Sequence, residues 1–160
     1  LHTAYRRQRP MCIRASPFLE MGASGGTCAL AIVFEHLLGE ISMGHLSAHV
    51  LDTMDGCPPA GMAVKLQRVN SAELETVVEF TLNADGRNDG GALLDASAMA
   101  TGRYRLVFCV APYFKARGVA LPEPPFVDDV LVDFGIADAG ARYHVPLLVS
   151  PWAYSTYRGS

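Results

Sequence analysis

The sequence predicts an all-β fold, a two-sheet sandwich with one short helix, and three observations predict it. From His45 onward, apolar residues recur at every second position in run after run, the period of a strand with one wet and one dry face. Turn-forming clusters rich in Asp, Gly and Pro close these runs at short intervals. Only Pro112 to Arg117 has helix punctuation, a proline where a helix begins and Gly118 where it ends. Short strands so spaced, with a single helix, pack as a sandwich.

Residues 1–44 differ from the rest, with four arginines by position 14 and a small, Gly-rich stretch around Gly22 to Thr27. They are expected to form an extension, disordered or not native, ahead of a domain spanning residues 45–160, with Met43-Gly44 as a candidate natural start. Arg14 and Glu20 interrupt the order of a secretory signal. The first strand alternates Leu46, Ala48 and Val50 with Ser47, His49 and Leu51, and ends at Asp52 and a turn over Met54 to Pro59. Met62, Val64 and Leu66 mark the second strand, and Leu74, Thr76, Val78, Phe80 and Leu82 the third.

Asn83 to Arg87 is a turn, since Asp85-Gly86 supports positive φ, and it lifts Arg87 out at the strand end. Residues 88–101 read as a loop with a short strand at Ala92 to Asp95. Tyr104, Leu106, Phe108 and Val110 form the next strand, followed by the helix, the proline-rich loop Pro122 to Pro125, and a strand through Val130, Val132, Phe134 and Ile136. The last two strands are Tyr143 to Val149 and Trp152 to Thr156, joined at Ser150 and Pro151, with His144 opposite the apolar row.

Length and composition exclude several classes. A chain of 160 residues, half of them apolar, suits one domain with a substantial core. Its net charge of −3 and scattered basic residues lack a nucleic-acid footprint. The longest apolar run, Cys28 to Phe34, falls short of the roughly 20 residues of a membrane span. The four cysteines show no CxxC spacing, which favours a reducing compartment, cytoplasmic rather than the alternative of export to the periplasm through the N-terminal segment. His45 and His49 would share a zinc on a helix, but in a strand they stand roughly 13 Å apart, so no metal site is expected. No GxSxG elbow occurs, and Gly22 to Gly26 lacks the Lys-Ser/Thr of a phosphate loop.

Four segments, LSAHVLDT at 46–53, NADGR at 83–87, YHVPLLVSP at 143–151 and YSTYRGS at 154–160, resemble the 5-hydroxyisourate hydrolases, the transthyretin-related enzymes of urate breakdown. The resemblance covers about residues 45–160, and its most specific piece is YRGS, which transthyretin, the carrier on the same fold, lacks. It implies a sandwich of about eight strands, a homotetramer with active sites at the dimer–dimer interface, and a cofactor-free hydrolysis of 5-hydroxyisourate to 2-oxo-4-hydroxy-4-carboxy-5-ureidoimidazoline. The family's site residues match His49, Arg87, His144, Tyr157, Arg158, Gly159 and Ser160.

That chemistry needs a base for water, donors for a carbonyl oxygen and a geometry that holds the ring. The resemblance gives His49 and His144 jointly the proton transfers, Arg87 the ring carbonyls, and His49, Arg87, Tyr157 and Ser160 the substrate. Each residue alone has a plainer reading, a structural histidine or a solvated arginine. The four segments together shift the balance. The competing function is a transthyretin-like carrier holding a flat aromatic ligand in a channel between subunits, which has no use for two histidines and the YRGS tail.

Overall fold

The computed structural model describes residues 44–71 and 73–159. The expected N-terminal extension, but for Gly44, lies outside the described residues, and so does Ser160. In chain order the elements are β1 (His45–Asp52), β2 (Ala63–Val69), β3 (Leu74–Thr81), β4 (Gly102–Cys109), α1 (Val110–Ala116), β5 (Asp129–Ile136), β6 (Arg142–Ser150) and β7 (Ala153–Thr156). One sheet runs β1-β6-β7 and the other β3-β2-β4-β5. All pairs are antiparallel except β1 and β6, which run parallel.

The alternation in the sequence becomes the core. Leu46 and Val50 of β1, Leu147 and Val149 of β6, Val64 and Leu66 of β2, and Leu106 and Phe108 of β4 are all buried between the sheets. Burying each such side chain contributes about 1.5–3 kcal/mol. The intervening residues of β1, His45, Ser47, His49 and Leu51, stay half-buried on the outer face.

Three expectations shift. The described residues form seven strands, and the short strand at Ala92 to Asp95 reduces to one bridge between Leu94 and Leu46. Asp95 turns the chain away at once, its carboxylate accepting from the backbone N–H of Ser97 at 2.9 Å and Ala98 at 3.0 Å. The helix starts at Val110, two residues early, so Pro112 is its third residue. The N–H missing there has no acceptor in a first turn, so the proline is tolerated. On β3, at the edge of its sheet, Leu74 and Val77 are exposed and only Val78 and Phe80 pack against the core.

Candidate active site

Three segments distant in sequence meet on the outer face of the β1-β6-β7 sheet. The parallel register sets Ser47 beside His144 and His49 beside Pro146. His49 therefore stands one row beyond His144, roughly 8 Å away between Cα positions given strand and residue spacings. The turn over 83–87 docks on the other edge of β1, where the Val50 N–H donates to the Gly86 carbonyl at 3.0 Å. Gly86 has φ +69, and a Cβ there would collide with the Val50 carbonyl oxygen and crowd Pro58, with the His49 ring in contact beyond them. Glycine is thus required for the turn to lie close enough to bring Arg87 to the histidines.

The third segment is the tail. Thr156 pairs with Leu147 at the end of β7, and its hydroxyl donates to the Pro146 carbonyl at 2.8 Å. The same register resumes at a bridge between Gly159 and His144, the Gly159 N–H donating to the His144 carbonyl at 2.9 Å. A Cβ on Gly159 would stand 2.6 Å from His144 Cδ2. Glycine lets the tail lie flat against the imidazole. On the opposite flank, the Ser47 hydroxyl is 2.9 Å from His144 Nδ1. The ring is held between Ser47 of β1 and Gly159 of the tail.

Burial and a neighbouring charge bias both imidazoles towards the neutral form. His49 is held below its ordinary value of 6.5, first by burial and then by the Arg87 charge, with a hydrogen bond to the Asp85 backbone opposing. His144 is lowered by burial, then by Arg87, His49 and His45, against a hydrogen bond to the Ser47 backbone. One guanidinium thus biases both rings towards the form that accepts a proton.

Two hollows flank His144. One, of about 310 Å³, is lined by His45, Ser47, Arg87, Arg142, Tyr143 and His144. The other, of about 340 Å³, has Tyr157, Arg158 and Thr156 on its tail side and Phe134 of β5 on its far side. Of the residues expected from sequence, Arg87 and His144 share the first hollow. His49 does not line it, though Arg87 lowers the His49 ring and His49 in turn contributes to the lowering of His144. Tyr157, 61% exposed, lines the second hollow, where Arg158 lies 5.0 Å above the Tyr143 ring. Ser160 lies outside the described residues. Ser47 and Arg142 were missed as site residues. The wet-face alternation of the first strand includes Ser47, but its contact with His144 depends on a pairing across 97 residues.

Among the described residues no group of three or more His, Cys, Asp or Glu is arranged to hold a metal ion, and no helix is long and apolar enough to cross a membrane.

Comparisons with known proteins point in one direction. The model of the HIUase/Transthyretin family matches residues 46–159. The chain is 50% identical over 118 residues to 5-hydroxyisourate hydrolase from Pseudomonas aeruginosa, covering 74% of this chain and 93% of that one. Among solved structures it is similar to 5-hydroxyisourate hydrolase from Klebsiella pneumoniae, with a TM-score of 0.61 and 32% identity over 74% of this chain and 100% of that one. It also superposes on the crystal structure of (S)-allantoin synthase with a TM-score of 0.70 and 43% identity, covering 74% of this chain but only 44% of that longer one.

Proposed function

The chain belongs to the HIUase/transthyretin family, and from that premise we propose that it hydrolyses 5-hydroxyisourate by opening a cyclic amide bond with water. The observation that carries this reading is the pair of neutral-biased imidazoles sharing one guanidinium on the outer face of β1 and β6, under a tail that returns to His144. A neutral imidazole can take a proton from water at cellular pH, and His144, held by Ser47 at Nδ1 and by the tail at Gly159, suits that task. His49, one row along, assists the proton transfers to the ring nitrogen. Arg87, exposed at the turn and free of ion pairs among the described residues, has planar parallel donors for carbonyl oxygens. Tyr157 and Ser160 orient the ring from the tail.

The proposed assembly is a homotetramer with active sites between dimers. All four residues of β7 are exposed at a sheet edge, Tyr154 among them at 53%, and Trp152 just before the strand is 56% exposed, surfaces suited to burial against further copies. Light scattering on purified protein tests this, and a monomer would refute it. A cytoplasmic location is proposed with it, in keeping with the free thiols of Cys57 and Cys109, and cell fractionation checks it.

The activity is tested by the ultraviolet decay of freshly generated 5-hydroxyisourate, with the intact chain beside a version ending at Thr156. Acceleration by the intact chain alone is expected. No acceleration by folded, intact protein would favour the carrier function instead.

A further inference from the structure

We propose that Arg142, with His45 beside it, forms an anion-binding position that holds the carboxylate created when the ring opens. This deepens the hydrolase reading and rests on it. The register pairs His45 with Arg142 one row before Ser47 and His144, so the four positions share the outer face in two successive rows. Arg142 is about 6.6 Å along β6 from His144, within reach of a long side chain. All four residues and Arg87 line the same hollow, and among the described residues no carboxylate lines it.

Among the other described arginines, Arg105 and Arg117 are ion-paired with Asp133 and Asp55, Arg68 and Arg158 lie over tyrosine rings, and Arg103 forms no ion pair but lines none of the hollows described above. Arg87 and Arg142 form no ion pair among the described residues, yet converge on one cavity. Two exposed guanidiniums could simply be solvated. Their convergence beside His144, with His45 close enough to perturb that ring, is what solvation does not account for.

The chemistry supplies the anion. Water oxygen bonds to the carbonyl carbon, the carbon–nitrogen bond breaks, and the ring nitrogen takes one proton of that water. The resulting acid releases its other proton at neutral pH, so a full negative charge appears at the carbon that was attacked, beside His144. Arg87 is engaged with the ring, and Arg142 is placed to pair with the new carboxylate through two parallel N–H donors.

The test compares wild type, Arg142→Gln and Arg142→Lys, using imidazole-4-carboxylate as a stable five-membered-ring carboxylate. Calorimetric binding should weaken about three- to tenfold in Arg142→Gln and recover largely in Arg142→Lys, with a salt dependence that is steeper in wild type. In turnover, Arg142→Gln should change KM and product inhibition more than kcat. Equal binding by wild type and Arg142→Gln at low salt, or no binding by wild type, overturns the proposal. Arg142-dependent binding by a wild type that leaves 5-hydroxyisourate decay unaccelerated would sink the hydrolase reading while the anion position stands.

Discussion

Gly159→Ala isolates the tail's role, because its effect follows from one contact. The added Cβ would lie 2.6 Å from His144 Cδ2 and 3.1 Å from both Cβ and Cγ of that side chain. Carbon atoms pack at about 3.5–4.0 Å, so the tail or the imidazole must move by about 1 Å. If the tail lifts, the 2.9 Å bond from the Gly159 N–H to the His144 carbonyl is lost. If the ring turns, the 2.9 Å contact between Nδ1 and the Ser47 hydroxyl is lost. Either loss removes about 1 kcal/mol of stability, a fall in Tm of about 4 °C for a domain of this size. The catalytic effect is larger, since misplacing a reacting group by about 1 Å can cost about 100-fold in rate. Decay of 5-hydroxyisourate followed by absorbance, beside a thermal melt, measures both. Full turnover would refute the claim that the tail seats the imidazole, and a fall in Tm beyond about 10 °C would show the damage to be global.

Two further predictions concern charge and burial. His49 and His144 are both held below 6.5, so the acid limb of the rate profile should lie below that value, and Arg87→Gln should move both imidazole resonances towards it in a proton NMR titration; no movement would remove Arg87 as a shared cause. The sign for stability follows, since the unfolded histidines protonate first: this contribution is complete above about 6.5 and is lost as pH falls through the window below. Tyr113→Phe acts away from the site. The buried Asp52 accepts from the Tyr113 hydroxyl at 3.2 Å, and burial with the Asp52 charge pushes that phenol up to about 12. Losing this bond should cost about 1–2 kcal/mol, or about 4–8 °C in Tm, with turnover within about twofold of wild type; an unchanged Tm would mean Asp52 is satisfied without it.

The elements most legible in the sequence were those whose burial follows a period of two. Leu46, Ala48 and Val50 of β1 and Val145, Leu147 and Val149 of β6 read as dry faces and are dry. The sequence of Asn83 to Arg87 was equally readable, because a positive φ at Gly86 is a local demand of the backbone. β3 was less so. Its apolar residues suited a covered face, but an edge strand at the sandwich margin has a covering layer only over Val78 and Phe80.

The sequence by itself offered candidates, His49, Arg87, His144 and the tail, through a family resemblance, and its alternation placed both histidines opposite the apolar rows, because strand phase is a local property of the chain. Tertiary structure decided which of them meet. The pairing of Ser47 with His144, of His45 with Arg142 and of Gly159 with His144 depends on register, and the parallel register of β1 with β6 joins strands 97 residues apart. A slip of one residue would turn every one of these side chains to the other face. The core opposes such a slip, because Leu46, Val50, Leu147 and Val149 would be turned out of it, so the packing of the dry face helps set the geometry of the wet one.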